Sequence, residues 1–235
     1  MGRAFEFRKA RKMKRWGAMA KTFTRIGKEI SMAVKEGGPS PDNNARLRVA
    51  IQNAKAANMP KTNVENAIKK ASSKDSANMD EVNYEGYGPF GVAVFIETVT
   101  DNPTRTVANI RNIFKKSEGS LGTNGSLEFI FDRKANFTIK NVGTDIEELE
   151  LELIDFGLEE IEGDEEEILI VTDFTDFGAM QKALEEKGLE IDSAEYVRNP
   201  LTTVSITEEQ QELIDKMIER FEDDDDVLQV FTNLG

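Results

Sequence analysis

Apolar residues recur every three or four positions in three stretches near the start of the chain, which predicts three amphipathic helices. The first stretch begins at Lys21 and the second at about Asn43, and glycine or proline residues separate the stretches. The third begins at Thr62, where Glu65 three residues later fits a capping box. The pattern therefore predicts a small three-helix domain, followed by a short polar linker.

A different pattern begins at Tyr84, where strand signals replace helical ones. Three glycines and a proline fall within residues 84–91, so we expect no regular structure there. β-branched and aromatic residues then fill Val92 to Thr100 without a breaker, which predicts a buried strand. Thr104 can cap the helix that follows, and the alternation of residues 126–131 predicts a second strand. These elements together predict a right-handed β-α-β unit.

The remaining pattern gives the order β-α-β-β-α-β twice, which is typical of the ferredoxin-like fold. One set lies within residues 133–200, with strands at 136–140, 158–161, 167–172 and 191–197 and helices at 146–156 and 177–187. The other set joins the unit at 92–131 to a strand at 202–206, a helix at 208–221 and a strand at 227–232. We expect these two halves to share a sheet, because a sheet of two strands cannot stand alone.

The predicted fold class is α+β, with a three-helix N-terminal domain followed by two ferredoxin-like α/β domains. We predict a basic helical domain and linker over 1–78. A discontinuous domain is predicted over 79–132 plus 201–235, with a second domain inserted between its halves over 133–200.

Charge is divided unevenly along the chain. Residues 1–75 carry 18 Lys/Arg and 6 Asp/Glu, whereas residues 76–235 carry 12 Lys/Arg and 38 Asp/Glu. A basic head on an acidic body indicates a polyanionic partner for the head, while the acidic body would repel non-specific contacts with the same partner.

The most basic segment is residues 8–15, which hold six cations and no apolar stripe that could fold them. One interpretation is a solvated arm. The interpretation that we favour is an arm that binds the phosphate backbone of a nucleic acid, with Trp16 free to stack on a base or to anchor the arm. The predicted nucleic-acid-binding residues are Arg8, Lys9, Arg11, Lys12, Lys14, Arg15, Trp16, Lys21, Arg25, Arg46, Arg48 and Arg105.

Arg105 is included because it starts a helix between Thr104 and Thr106, where free backbone N–H groups and a cation would converge on an anion. Capping of the helix explains the same residues about as well.

The composition argues against an enzyme. The chain contains 0 Cys and 0 His, which removes thiolate chemistry and the commonest zinc ligand and general base. The glycines of residues 84–91 precede a strand, whereas phosphate-binding loops follow one. The acidic runs at 164–167 and 223–226 lack the alternation of a calcium loop, so we expect solvated turns there. We expect no catalytic residue, no metal and no cofactor.

Several short motifs together give a resemblance to a known family. They are Asn58-Met-Pro60, Tyr84-Glu-Gly-Tyr-Gly-Pro89, Thr100-Asp-Asn102, Arg105-Thr-Val107 and Gly119-Ser-Leu-Gly122-Thr-Asn-Gly125-Ser126. With these motifs the chain resembles, nearly end to end, the YebC/PmpR family. The chain departs from the family's commoner start, Gly-His-Ser-Lys-Trp, because Gly2 is followed here by Arg-Ala-Phe-Glu.

The resemblance implies a helical head, two α/β domains and a cytoplasmic protein of a group usually classed as DNA-binding transcriptional regulators. It also implies that relatives, including a mitochondrial translational activator, act on the ribosome during translation of proline-rich stretches. We therefore expect a nucleic-acid-binding regulator of gene expression acting on DNA. The alternatives are a ribosome-associated translation factor that contacts ribosomal RNA and, outside this class, a protein-only interaction adaptor.

Localisation and assembly are predicted from simpler features. No apolar run approaches the ~20 residues of a membrane span, and the charged start lacks the apolar segment of a signal peptide. We expect a cytoplasmic monomer with no membrane partner.

Overall fold

The computed structural model describes residues 19–73 and 78–235, which fold as an α+β protein in two compact units. The first unit combines the N-terminal helices with residues 133–197, and the second combines residues 75–132 with 198–235. The predicted fold class is confirmed, since three N-terminal helices precede two antiparallel sheets. The domain limits predicted from the sequence stay a prediction.

The elements have the following bounds. The helices are α1 (Met19–Gly37), α2 (Ala45–Ala56), α3 (Lys61–Ala71), α4 (Pro103–Lys116), α5 (Ile146–Leu153), α6 (Phe177–Glu186) and α7 (Glu208–Glu222). The strands are β1 (Asp80–Tyr87), β2 (Ala93–Thr100), β3 (Ser120–Leu121), β4 (Phe131–Lys140), β5 (Leu158–Gly163), β6 (Glu167–Asp173), β7 (Ile191–Pro200) and β8 (Val227–Thr232).

The three N-terminal helices pack through one apolar face each, as their periodicity predicts. Their core includes Ile26, Ile30, Ala33, Leu47, Ala54 and Val64. Asn44 caps α2 by accepting a hydrogen bond from the Leu47 amide at 3.0 Å. The predicted capping box at Thr62 and Glu65 is wrong, because α3 already begins at Lys61 after Pro60 and its first turn has no side-chain cap.

The first unit's sheet has the strand order β5-β6-β4-β7, which is the ferredoxin-like order. Helices α5 and α6 pack on it around Phe137, Leu153 and Ile170. The six elements predicted within 133–200 are all present, and each of the four strands extends further than its pattern indicates.

The second unit's sheet has the order β3-β1-β2-β8, with α4 and α7 packed around Phe114, Met217 and Phe221. Strand β1 corrects the expectation of no regular structure for residues 84–87, since it pairs along its whole length with β2, whereas residues 88–91 form the expected turn between the two strands. The glycines serve close packing instead. A Cβ on Gly86 would lie 2.7 Å from the Phe114 ring, and one on Gly88 would lie 2.6 Å from the Met217 methyl carbon.

Two further predicted strands of this unit are wrong. Residues 126–130 form turns and bends, and their alternation does not mark one buried face, because Leu127 is buried while Phe129 is exposed. Residues 202–206 contribute only a single bridge, between Val204 and Leu234. Strand β1 lies beside β2, at the sheet position that the ferredoxin-like fold would give to the predicted strand 202–206. The sheet therefore has the ferredoxin-like strand order, but the chain connects the strands differently.

Candidate nucleic-acid interface

The basic arm carries most of the predicted contacts, and it lies outside the described residues. These predicted residues are Arg8, Lys9, Arg11, Lys12, Lys14, Arg15 and Trp16. Their role as nucleic-acid contacts stays a prediction.

Helix α1 carries the next predicted residues along the chain, Lys21 and Arg25. Together with Lys28 they fall at i, i+4 and i+7, so the three share one face of the helix. Ile26 and Ile30 lie on the opposite face and are buried in the helical core. The folding of α1 therefore places three cations together on the side that faces away from its core.

Helix α2 carries Arg46 and Arg48, and both have partners within the first unit. Arg46 Nη1 lies 2.6 Å from Glu36 Oε2. Arg48 Nε lies 3.2 Å from Glu185 Oε1 on α6, and its Nη1 donates to the Pro41 carbonyl at 3.0 Å. These two arginines are thus held by carboxylates and carbonyls of the chain itself.

Helix α2 is fixed to the first unit's sheet at strand β7, which is an edge strand. The Asn53 side chain donates to the Ala194 carbonyl at 2.8 Å and accepts from the Ala194 amide at 3.1 Å. Val49 is buried in the same core as Phe137. An amide side chain therefore takes the place of a neighbouring strand at this edge and sets the orientation of α2.

Arg105 lies in the second unit, at the start of α4, and takes part in a mostly buried polar network. Its Nη2 lies 2.6 Å from Asp226 Oδ2 and 2.9 Å from Asp101 Oδ1. Thr106 Oγ1 donates to the same Asp226 oxygen at 2.8 Å, and Thr100 Oγ1 does so at 3.1 Å. The structure thus gives Arg105 two carboxylate partners within the chain, and its role as an anion contact stays a prediction.

Asp226 corrects the expectation that residues 223–226 form a solvated turn. Its exposed fraction is 5%, whereas a carboxylate in a solvated turn would face water. The hydrogen bonds of Arg105, Thr100 and Thr106 satisfy it, which is what a buried charge requires. The motif residues of the helix start are therefore explained by a partner far along the sequence.

The same network acts on neighbouring ionisable groups. Burial raises the pKa of Tyr84, and the nearby Asp226 carboxylate raises it further. Two hydrogen bonds raise the pKa of Arg105, the one to Asp226 having the larger effect and the one to Asp101 the smaller. The Asn102 side chain caps α4 by accepting from the Arg105 amide at 3.1 Å, so the predicted cap at Thr104 is wrong.

Glu85 is a second buried carboxylate, and the sequence pattern does not predict it. Its exposed fraction is 2%, and its two oxygens accept from the amides of Gly125 at 2.7 Å and Leu127 at 2.6 Å. Its backbone carbonyl accepts from the Gly122 amide at 2.7 Å. Glu85 thus holds the glycine-rich segment 122–127 against strand β1. No pattern in the sequence indicates this role, because the glycines and proline of residues 84–91 indicate a turn and not a strand with an inward face.

The other acidic segments behave as turns. Asp164 Oδ1 accepts from the amides of Glu166 and Glu167 at 2.9 and 3.0 Å, which closes the β5–β6 connection. Within residues 19–73 and 78–235, no group of three or more acidic side chains is arranged to hold a metal ion.

A helical N-terminal part followed by two antiparallel sheets, with cations gathered in the helical part, defines an α+β protein with a basic head. The TACO1/YebC protein N-terminal domain matches residues 3–74, and the TACO1/YebC second and third domain matches residues 79–234. The chain therefore belongs to the TACO1/YebC family.

Two relatives are similar in sequence to this chain over nearly its whole length. A protein of Flavobacterium johnsoniae is 63% identical over 98% of this chain and 98% of its own length. A protein of Parabacteroides distasonis is 60% identical over 100% of this chain and 97% of its own length. Both bear the name "probable transcriptional regulatory protein".

The chain is also similar to a solved structure. The crystal structure of a conserved hypothetical protein from Aquifex aeolicus superposes with a TM-score of 0.79 at 37% identity, over 94% of this chain and 91% of the other. In the part of the chain described here, no helix has the length and apolar character needed to cross a bilayer.

Proposed function

We propose that this protein is a cytoplasmic nucleic-acid-binding regulator of gene expression that acts on DNA through its basic head. In this proposal the arm at residues 8–16 and the basic face of α1 contact phosphates, and Arg46 and Arg48 add to them. The name of the two curated relatives supports regulation of transcription, and no catalytic role is proposed.

The separation of charge along the fold is the observation that carries the proposal. Residues 19–73 hold 10 Lys/Arg and 4 Asp/Glu, whereas residues 78–235 hold 12 and 38. Phosphate neutralisation by Lys and Arg supplies most of non-specific nucleic-acid affinity. The net negative charge of the remainder disfavours non-specific contacts with the same polymer, so the head provides the main binding surface.

The ion pairs of α2 are compatible with this role because those of Arg46 and Lys55 are open to water and that of Arg48 with Glu185 is about one third exposed, at 32% and 35%. The side chains of Arg46 and Glu36 are 39% and 66% exposed, and those of Lys55 and Glu190, 3.1 Å apart, are 81% and 61% exposed. Such pairs contribute only about 0–1 kcal/mol each, so a phosphate can replace the carboxylate at low cost.

Salt dependence of binding tests the proposal. If the six cations of residues 8–15 each neutralise one phosphate, the plot of log affinity against log salt for duplex DNA has a slope of roughly −5 from the arm. Removing residues 1–20 should flatten that slope and weaken binding equally for all sequences, since phosphate contacts do not read bases.

A matched pair of triple variants makes the test specific. Replacing Arg8, Lys9 and Arg11 by Gln should reduce the magnitude of the slope by roughly 3. Replacing Lys61, Lys69 and Lys70 on α3 by Gln removes the same charge from the same domain and should leave the slope nearly unchanged. Equal slopes for the intact chain and the chain without residues 1–20 would show that the arm is only a solvated tail.

The second candidate is a ribosome-associated translation factor that aids synthesis of proline-rich stretches. The same cations support it, because ribosomal RNA also presents phosphates and no base-reading motif separates the two targets. Co-sedimentation with ribosomes, compared with recovery of promoter DNA from the same lysate, decides between them. Recovery of proteins alone would favour an adaptor instead.

A further inference from the structure

Helix α4 has a charge composition opposite to that of the unit around it. Residues 75–132 and 198–235 together hold 7 Lys/Arg and 19 Asp/Glu. Helix α4 alone carries four of those seven cations, Arg105, Arg111, Lys115 and Lys116, and no acidic residue. A positive helix therefore stands on an otherwise acidic unit.

The exposed side of α4 divides into two rows. One row carries Arg105 and Asn109, which are bound to the acidic segment before β8 through Asp226 at 2.6 Å and Asp224 at 2.9 Å. The other row carries Ala108, Arg111 and Lys115 at i, i+3 and i+7.

The second row and the last turn present cations to solvent. Arg111, Lys115 and Lys116 are exposed, and within residues 19–73 and 78–235 none of the three takes part in an ion pair. Arg111 and Lys115 stand one turn apart, about 6 Å along the axis. Asn112 is exposed beside them and adds an amide donor.

Helix stability does not account for this composition. Cations in the last turn favour the helix, so Lys115 and Lys116 have that explanation, but Arg111 stands one turn earlier. The first turn, where acidic residues are favoured, has none, whereas α7 in the same unit begins with Glu208 and Glu209.

We infer that the second row of α4, with Arg111 and Lys115, and the last turn, with Lys116, form a second nucleic-acid surface, whose three cations bind backbone phosphates of the polymer that the head binds. This inference rests on the proposed function. Charge complementarity identifies the partner, because a polyanion is the ligand that three unpaired cations in an acidic unit attract. Two surfaces on one polymer bind more tightly than either alone, through effective concentration.

The test uses the full chain and two probes, a DNA duplex of arbitrary sequence and a stem-loop RNA. Replacing Arg111, Lys115 and Lys116 by Gln should reduce the magnitude of the salt slope by roughly 2 to 3, from about 0.9 per phosphate on duplex DNA and about 0.7 on single strands. All three residues are exposed, and an unchanged circular dichroism spectrum checks that the variant is folded.

A matched pair of single variants controls for net charge. Lys115→Gln should reduce the slope by roughly 1, whereas Lys216→Gln, at an exposed position of α7 in the same unit, should not change it. Equal slopes for Lys115→Gln and Lys216→Gln would overturn the inference.

The outcome also separates this inference from the proposed function. If loss of residues 1–20 flattens the slope and the α4 triple variant does not, the head binds and the second surface is wrong. If the intact chain binds neither probe with a salt-dependent affinity, both proposals fail. A reduced slope on only one probe would support the second surface and identify DNA or RNA as its polymer.

Discussion

Replacing Glu85 by Gln tests whether one buried carboxylate holds the segment 122–127 in place. Both Glu85 oxygens accept backbone amides, from Gly125 at 2.7 Å and from Leu127 at 2.6 Å, and the residue is only 2% exposed. Glutamine has nearly the same shape but one acceptor oxygen, so its NH₂ group would face one of the two amides.

The expected cost follows from these contacts. A hydrogen bond to a charged group contributes roughly 1.5–3 kcal/mol, and a buried donor left without a partner costs about 1–3 kcal/mol. The variant loses one hydrogen bond to the charged carboxylate and weakens the other, because its remaining acceptor is neutral. Its NH₂ group also faces a backbone N–H, so opening of the segment should cost about 3 kcal/mol less. Since ~1.4 kcal/mol corresponds to a factor of ten, amide exchange there should accelerate roughly 100-fold.

Hydrogen exchange measured by mass spectrometry on peptides covering 122–130 reads this change directly. Glu128→Gln is the matched control, because Glu128 is exposed in the adjoining turn and its replacement removes the same charge. Exchange in Glu85→Gln that stays within threefold of the unmodified protein would refute the role given to the carboxylate.

Three further predictions follow from the two units. The pKa of Tyr84 is raised in the folded protein, so Tyr84 ionises first in the unfolded state as the pH rises past ~10, and the stability of the protein falls there. Tyr84→Phe should reduce this loss of stability, measured in thermal melts between pH 9 and 11, whereas Tyr87→Phe should not. Asn53→Ala should lower the free energy of unfolding of the first unit by about 2 kcal/mol, measured by denaturant titration, because two bonds to strand β7 are lost. Replacing residues 133–200 by a short Gly/Ser linker should leave a chain whose second unit still unfolds cooperatively by circular dichroism, and a gradual transition would count against the discontinuous domain.

The sequence predicts most where local pattern and burial agree. The three N-terminal helices follow from the periodicity of residues such as Ile26, Ile30 and Leu47, which are buried as predicted. The elements of residues 133–200 follow for the same reason, since the helices have one apolar face each and β6 is a run of apolar residues, Ile168 to Val171, that are all buried. Local propensity and tertiary packing point the same way in these segments.

The wrong predictions concern positions where contacts between residues distant in the sequence determine the structure. Gly86 and Gly88 resemble turn residues, yet Gly86 lies in strand β1 and Gly88 directly follows it. Glycine is present there because side chains of α4 and α7 approach too closely for a Cβ. Asp226 resembles a solvated acid, and only the fold shows that Arg105, 121 residues away, lies against it. No local pattern contains that information, although an arginine at a helix start indicates that an anion is required.

The deletion of residues 133–200 is physically reasonable because the two segments of the second unit hold each other directly. Strand β8 pairs with β2 inside one sheet, and Phe221 and Ile110 share its core. Asp226 from the C-terminal segment satisfies Arg105 of α4 at 2.6 Å, so neither segment could bury its polar groups without the other. The Leu201 amide donates to the Ile130 carbonyl at 2.8 Å, which means that a short linker can join the cut ends without strain. The stability of this unit therefore depends on contacts between its two segments, and the residues between them add chain length whose entropic cost grows only slowly with length.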